Sequence, residues 1–244
     1  MLVNLKLKET IASAALALGL GLLALGFLSS WQIACASENI EETRKHMEAL
    51  LPSITSRINS EPKEGKHYIA RGMILFVCKH YKYAQDDFDK ADSLNYHDDS
   101  KAVLNARAST LMSLKRYPET LDMLNRLLAV DPQNGNNYTN RGCAYLYLSK
   151  YPEALNDSLK AIKMGASGST PYCTAGACYY RVGQYPYAMQ MLDMAVRKNP
   201  KNFEAFFYRG CTEAKLGQAE KAAADLAKAN QLGYKVGESY EEEI

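Results

Sequence analysis

The chain has 244 residues, of which 47% are hydrophobic, so it can bury a substantial core and lacks the composition of a disordered protein. Its 29 basic and 27 acidic residues give a formal net charge of +2 and are interspersed along the chain. A nucleic-acid-binding surface needs clustered positive charge, so this balance argues against nucleic acid as the main partner.

Residues 1–36 differ in composition from the rest of the chain. Lys6 and Lys8 precede a charge-free stretch, residues 10–36, that is rich in Ala, Leu and Gly. It ends in Ala34-Cys35-Ala36, a small-x-small sequence of the kind that signal peptidase cleaves. Glutamates follow, and positive charge before an apolar helix with negative charge after it favours export of the C-terminal part. We therefore predict a signal peptide or membrane anchor over 1–36 and an extracytoplasmic location: periplasmic, secreted or membrane-anchored.

Three fates of this N-terminal segment stay open. Cleavage after Ala36 would make Ser37 the first residue of the mature chain. The apolar run from Ile11 to Leu28 is longer than a usual signal core, which is compatible with an uncleaved anchor. The sequence ending in Cys35 also resembles a bacterial lipobox, with Gln32 where that motif has Leu, so a lipid-modified Cys35 is the third alternative.

Residues 37–64 are predicted to form a helical cap on the region that follows. Their apolar residues make a helical stripe: Ile40, Met47, Leu50, Leu51, Ile54 and Ile58. Pro52 interrupts this stripe, so we expect a kinked or split helix. A flexible stalk is the alternative, but a stalk would not need periodic apolar residues.

A period of about 34 residues runs through residues 65–236. A small residue recurs at intervals of 36, 34, 34 and 34 residues: Gly72, Ala108, Gly142, Gly176 and Gly210. Four residues before each of these stands a large side chain: Tyr68, Leu104, Tyr138, Tyr172 and Phe206. Such spacing predicts helical hairpins, because the small residues let two antiparallel helices approach closely while the large residues fill the gap between neighbouring hairpins.

This pattern resembles the tetratricopeptide repeat (TPR) family over residues 65–236. The resemblance implies an all-α fold, a right-handed superhelical solenoid of antiparallel helix pairs. We expect five repeats, at residues 65–98, 101–134, 135–168, 169–202 and 203–236, followed by an acidic tail at 237–244. The resemblance also implies a protein–protein interaction module rather than an enzyme.

Charged residues recur in the same register as the repeat. An Arg directly precedes the small residue in four units: Arg71, Arg107, Arg141 and Arg209. An Asp lies fifteen residues after the small residue in three units: Asp87, Asp157 and Asp225. The fourth unit lacks both charges, and in the second unit Met123 stands where Arg107 would find its Asp. Because the Arg and the Asp are mostly present together or absent together, we predict structural ion pairs between packed helices rather than a ladder of ligand-binding arginines.

No recognisable catalytic or metal-binding motif is present in the sequence. An odd number of cysteines follows residue 36, and their spacing favours packing over disulfide, redox or metal roles: Cys78, Cys143, Cys173, Cys178 and Cys211. The four histidines have no second ligand at metal-binding helical spacing: His46, His67, His80 and His97. We therefore predict no catalytic residue, no cofactor and no metal, and keep a thiol-dependent enzyme as the weakest hypothesis.

The surface best suited to binding is the concave face formed by the first helix of each repeat. Positions three before, one after and four after the small residue share one helix face. The predicted peptide-binding groove consists of Ile69, Met73, Phe76, Asn105, Met112, Thr139, Cys143, Leu146, Cys173, Tyr180 and Phe207. We expect Phe76 and Tyr180 to be its exposed anchors. The alternative is that part of this stripe is ordinary core.

The leading hypothesis is an exported or membrane-anchored module that binds a peptide segment of another protein through apolar anchors in this groove. The groove lacks the Lys and Asn set with which some TPR proteins bind C-terminal carboxylates. The alternative is a structural subunit of an envelope or secretion assembly that self-associates. In both cases the membrane is contacted only through the N-terminal segment.

Overall fold

The computed structural model describes residues 40–234, and within that range the chain is all-helical. The predicted signal or anchor segment and the acidic tail lie outside the described residues. Twelve helices follow one another between Ile40 and Gln231: α1 (Ile40–Glu48), α2 (Leu51–Ser60), α3 (Gly65–Val77), α4 (Tyr81–Ser93), α5 (Lys101–Ser113), α6 (Tyr117–Val130), α7 (Gly135–Tyr147), α8 (Tyr151–Lys163), α9 (Thr170–Arg181), α10 (Tyr185–Lys198), α11 (Phe203–Lys215) and α12 (Ala219–Gln231).

From α3 onward the helices form antiparallel pairs. Each odd-numbered helix packs against the even-numbered helix that follows it, and α4, α8 and α10 each pack against the first helix of the next pair. The prediction of an all-α fold built from antiparallel helix pairs is confirmed.

The helices group into two compact units, with the boundary between Val130 and Asp131. The first unit contains α1 to α6, and the second contains α7 to α12. Within the second unit α7 contacts α9, and α9 contacts α11. The first helices of its three pairs therefore lie side by side and form one continuous face, which we call the second-unit face.

The N-terminal stripe of the first unit forms two short helices rather than one. α1 ends at Glu48 and α2 begins at Leu51, with Pro52 in the first turn of α2, where a proline needs no hydrogen-bonding N–H. Met47 and Ile54 are buried against Ile74 of α3. The structure thus has the split form of the kinked or split helix that the interrupted stripe predicts, and both short helices pack on α3.

The small residues of the repeat lie where the two helices of a pair touch. A Cβ atom built on Gly72 would stand 2.7 Å from Cε1 of Phe88, and one on Gly176 would stand 2.5 Å from Cγ of Leu192. Both distances are well below van der Waals contact, so a larger side chain would push the paired helices apart. This explains the small residue that recurs in the sequence.

The predicted ion pairs join the two helices of a pair. Each Arg holds its Asp with two hydrogen bonds: Arg71 to Asp87 at 2.8 and 2.7 Å, Arg141 to Asp157 at 2.6 and 2.9 Å, and Arg209 to Asp225 at 2.5 and 3.0 Å. This bidentate geometry is the strong form of an Arg–carboxylate interaction. The hypothesis of structural ion pairs is confirmed for these three repeats.

Arg107 also has a carboxylate partner, in a register that the repeat pattern did not predict. It donates two hydrogen bonds to Asp92 of α4, at 2.9 and 2.8 Å, and a third to the backbone oxygen of Phe88 at 3.0 Å. Burial raises the pKa of Asp92, but hydrogen bonds from Arg107 and His97 bring it below its ordinary value. The second repeat therefore balances the charge of Arg107 with a carboxylate of the preceding helix pair.

Candidate functional site

The second-unit face contains an open pocket. Its lining comes from α7, α9, α11 and the residue that closes the described chain: Cys143, Leu146, Tyr147, Thr170, Cys173, Thr174, Phe203, Glu204, Phe207, Tyr208 and Tyr234. The pocket has a volume of about 50 Å³ and is open to solvent. Since one buried water needs roughly 10–15 Å³, the pocket has room for the end of one side chain.

Aromatic rings form one wall of this pocket. Tyr234 stacks on Phe207 with ring centroids 4.2 Å apart and planes inclined by 16°. Phe203 lies 6.1 Å from Tyr234, and Tyr208 meets Phe207 edge to face at 5.5 Å. The backbone N–H of Tyr234 donates to the carbonyl of Ala229 at 3.0 Å, which fixes the start of the segment after α12. The wall is therefore held by ring packing and by a helix-terminal hydrogen bond.

The polar groups of the pocket lie between α7, α9 and α11. Glu204, in the first turn of α11, is half-buried and accepts a hydrogen bond from the hydroxyl of Tyr147 at 3.4 Å. The sulfur of Cys143 lies 3.4 Å from the hydroxyl oxygen of Thr174. Among the lining residues Glu204 is the one with a formal charge, and none of them is Lys, Arg or His.

The thiols near the pocket are weak nucleophiles. Burial raises the pKa of Cys143 to about 11 and that of Cys178 to about 12. Both groups are therefore protonated at neutral pH, and a thiol reacts as a nucleophile only as its thiolate. None of the five cysteines between residues 40 and 234 is in a disulfide. Cys173, Cys178 and Cys211 lie in apolar clusters of the second unit, and Cys78 lies in the cluster around Met47 and Ile54 of the first.

Four of the predicted groove residues meet at this pocket: Cys143, Leu146, Cys173 and Phe207. Thr139 lies elsewhere on α7, is 6% exposed and donates its hydroxyl to the carbonyl of Gly135 at 3.1 Å. The expectation that Tyr180 is an exposed anchor needs correction. Its side chain is 8% exposed, with its ring 6.0 Å from the rings of both Tyr185 and Tyr208. Aromatic packing against the neighbouring helices covers it.

The predicted groove residues of the first unit lie in a different environment. Ile69 and Met73 are each 1% exposed, within a cluster that includes Phe88. They offer almost no surface to a partner, which agrees with the alternative that part of the stripe is core. Half-buried positions are taken by Phe76, Asn105 and Met112. These three side chains do not join the pocket of the second-unit face.

Seven lining residues were not predicted from the sequence: Tyr147, Thr170, Thr174, Phe203, Glu204, Tyr208 and Tyr234. The signal for two of them was present, since Phe203 and Glu204 lie four and three residues before Phe207 and so share its helix face. On α11 the predicted stripe begins at Phe207, one helical turn after Phe203. Tyr234 follows the last helix, and no periodicity points to it.

The described part of the chain offers neither a metal site nor a membrane span. No group of three or more His, Cys, Asp or Glu side chains between residues 40 and 234 is arranged to hold a metal ion. None of the helices in this range is long and apolar enough to cross a membrane.

No protein-family model matches this chain, and no curated protein matches it. Similarity is found among solved structures. YrrB, a TPR protein with an unusual peptide-binding site, superposes with a TM-score of 0.54 at 21% identity, over 74% of this chain and 92% of YrrB.

Two structures of MamA are similarly close. MamA from Desulfovibrio magneticus RS-1 gives a TM-score of 0.57 at 15% identity, over 69% of this chain and 94% of MamA. A further MamA structure gives 0.56 at 16% identity, over 70% of this chain and 92% of that one. At these identities the likeness establishes the fold. The chain has the fold of tetratricopeptide repeat proteins, as its 34-residue period predicts.

Proposed function

We propose that this chain is a non-enzymatic interaction module that binds a peptide segment of another protein in the pocket of the second-unit face. One observation carries the proposal. Four groove residues chosen from sequence periodicity lie on three successive first helices and meet at one open pocket with an aromatic wall. A concave, mostly apolar site with a few placed polar groups is typical of ligand recognition.

The chemistry of the pocket supports a peptide as its ligand. Aromatic side chains are enriched among the residues that dominate protein–protein binding energy. The pocket admits one side-chain end, and the thiols of Cys143, in its lining, and of the buried Cys178 are protonated at neutral pH. YrrB, which shares the fold, is a TPR protein with a peptide-binding site of its own.

Export or membrane anchoring is the second part of this proposal, and it rests on the composition of residues 1–36. A mature chain beginning at Ser37 would support cleavage, and a lipid on Cys35 would support the lipoprotein alternative. An intact Met1 in the native protein would support the anchor, provided that the protein fractionates with membranes. An intact chain found in the cytosol would overturn this part of the proposal.

The exposed aromatic Phe203 provides the sharpest test of the pocket. Its side chain is 38% exposed at the rim, so Phe203→Ala removes contact area without opening a buried cavity. We expect this variant to weaken binding of peptides selected from a random library by about 1–3 kcal/mol. Binding constants can be measured by titration calorimetry on the full chain.

Tyr187→Ala is the matched control, because Tyr187 is a 56% exposed aromatic on α10 that does not line the pocket. We expect it to change peptide affinity by less than about 0.5 kcal/mol. Thermal unfolding of both variants separates lost binding from lost stability. Equal affinities of the two variants would place recognition elsewhere. If the full chain selects no peptide and sediments as a concentration-dependent oligomer, self-association would replace peptide binding as the function.

A further inference from the structure

An ion-paired cluster of the fifth repeat has an apolar counterpart in the fourth. In the fifth repeat Arg209 donates to Asp193 of α10 at 2.9 Å and to Asp225 of α12 at 2.5 and 3.0 Å. Because Arg209 joins two second helices, this cluster lies on the side of α11 that faces them, away from the second-unit face. The equivalent positions of the fourth repeat, 34 residues earlier, are all uncharged: Leu159, Ala175 and Met191.

The exchange continues along the outer side of the fourth repeat. Three more charged residues of the fifth repeat have apolar equivalents 34 residues earlier: Glu213 has Tyr179, Lys221 has Tyr187, and Lys228 has Met194. The rings of Tyr179 and Tyr187 stack with their centroids 5.5 Å apart. We call the surface formed by these apolar residues the outer groove: Leu159, Ala175, Tyr179, Tyr187, Met191 and Met194.

The outer groove has a recessed floor and raised walls. Ala175 is fully buried and Met191 is half-buried, whereas Leu159 is 39% exposed and Tyr187 is 56% exposed. The fold does not require apolar residues here, because an Arg–Asp pair occupies the equivalent positions in the repeats on either side. Exposed apolar surface bordered by ion pairs is typical of a contact with another protein, and Tyr and Met are enriched in the cores of such contacts.

The charge beside the outer groove is positive. The helices α9 and α10 contain three basic residues and one acidic residue, Asp193, whose carboxylate accepts from Arg209. A guanidinium nitrogen of Arg197 lies 3.0 Å from the sulfur of Met194, at one end of the groove, and Lys198 is the next residue. Within residues 40–234 no carboxylate pairs with Arg197 or Lys198. Asp or Glu beside the apolar residues of a partner would therefore complement this charge.

We propose that the outer groove receives an amphipathic helix of another protein, with Leu, Met or aromatic residues on one face and Asp or Glu beside them. Tyr187, Met191 and Met194 follow the spacing i, i+4, i+7 along about 10 Å of α10, and a docked helix presents its apolar side chains with the same spacing. This surface is separate from the pocket. Cys173 of the pocket and Ala175 of the groove are two residues apart and so lie on opposite sides of α9.

A display library built on a folded helical domain tests this inference on the full chain. One helix face of that domain is randomised among Leu, Met, Tyr, Ala, Glu, Gln and Lys. Selected binders are then measured against a triple variant that carries the residues of the fifth repeat: Leu159→Asp, Ala175→Arg and Met191→Asp. This variant rebuilds the Asp–Arg–Asp cluster seen around Arg209. We expect most binders to carry more Glu than Lys and to lose about tenfold in affinity for the variant.

Single substitutions keep the test decisive if the triple variant does not fold. Leu159→Ala should weaken the same binders by about fivefold. Leu216→Ala is the matched control, because Leu216 is likewise 39% exposed but follows α11, outside the groove. It should leave their affinity unchanged. Thermal unfolding of each variant establishes that the fold is intact.

The acidic chemistry of the partner has its own pair of variants. Arg197→Gln should weaken binders that carry Glu by about fivefold, with a smaller effect at high salt. Lys228→Gln removes a basic residue from the last turn of α12, as Arg197→Gln does from that of α10, but outside the groove. This control should have no effect on the same binders.

The outcomes separate the groove, its partner and the pocket. Binders that tolerate both the triple variant and Leu159→Ala would show that the groove is not a docking surface. Binders that need the groove but carry Lys or no charge would overturn the acidic partner. An oligomer that the triple variant dissociates, a synthetic peptide of residues 235–244 that binds the groove, or anionic phospholipid vesicles that bind it would overturn the helix of another protein as occupant. Phe203→Ala acts on the pocket alone, so the proposed function can fail while this inference stands.

Discussion

The three matched Arg–Asp pairs have unequal partners. In the pair of α7 and α8, the side chain of Asp157 is 2% exposed, whereas that of Arg141 is 21% exposed. The repeat pattern predicts the pairing but not which charge is the more deeply buried, because both lie on the inner faces of their helices. The deeply buried charge is the one that cannot recover hydration when its partner is removed.

We therefore expect Arg141→Gln to destabilise the fold more than Asp157→Asn. Arg141→Gln removes the ion-pair partner of the Asp157 carboxylate, which water cannot reach. Asp157→Asn leaves the Arg141 guanidinium, which is partly accessible to solvent. A double-mutant cycle on the free energy of unfolding should give a coupling of about 1–3 kcal/mol. A coupling indistinguishable from zero would mean that the pair behaves as solvated surface charge.

His67 predicts a pH dependence of stability. The imidazole is 3% exposed on α3, its Nδ1 has no hydrogen-bond partner, and its Nε2 lies 3.4 Å from a carboxylate oxygen of Glu61. Burial lowers the pKa of His67 below 6.5, and Lys66 and Arg57 act in the same direction, against Glu61 and Glu64. The folded chain therefore binds this proton less readily than the unfolded chain does.

Because the unfolded state holds more protons between the lowered pKa and 6.5, the stability due to His67 is fully present above pH 6.5 and is lost as the pH falls through that window. Urea unfolding at a series of pH values should show this slope. His67→Gln should flatten it, whereas His80→Gln, at an exposed position, should leave it unchanged. An identical slope in both variants would assign the pH dependence to other groups.

At the scale of the helix, the close approach within each pair depends on the small residue, but not to the same degree in every pair. A Cβ on Gly176 would meet Leu192 Cγ at 2.5 Å, whereas one on Gly142 would meet the smaller Ser158 at its Oγ, 3.0 Å away. The helix pairs therefore differ in how large a side chain the small position can accept. Sequence periodicity shows the shared small position but not this difference, because it depends on the residue across the interface.

We expect Gly176→Ala to destabilise the chain by about 1–2 kcal/mol, since overpacking outweighs the helix propensity gained on replacing Gly. Gly142→Ala should be close to neutral, because the clash is milder and the propensity gain of about 1 kcal/mol opposes it. Chemical denaturation of the two variants measures both values. Equal destabilisation would show that the Leu192 contact does not limit the approach of the helices.

At the scale of the whole molecule, the architecture was predictable because one 34-residue pattern repeats along the chain. The helix pairs are identified from periodicity alone, by Gly72 and its equivalents. Three of these Gly residues follow an Arg and are themselves followed, fifteen residues later, by an Asp. The site was only partly predictable. Helix-face counting found Cys143 and Phe207, but it could not separate the buried Ile69 from a surface residue, since burial depends on neighbouring helices.

The remaining part of the pocket depends on contacts between elements. Tyr234 reaches Phe207 because the chain turns back after α12, and Tyr147 reaches Glu204 across two repeats, 57 residues apart. Neither contact leaves a periodic signal in the sequence. The pocket therefore combines a predictable helix face with long-range contacts that only the structure shows.

Photo-crosslinking tests the central claim, that the second-unit face binds a peptide, most directly. The tightest peptide selected from the random library would carry a diazirine at its central position and be irradiated on the full chain. Mass spectrometry then locates the bond. We predict cross-links to residues 143–147 of α7, 170–174 of α9 and 203–208 of α11, which line the pocket, and their loss with excess unlabelled peptide. Cross-links confined to α8, α10 and α12, or spread evenly over the chain, would contradict the account.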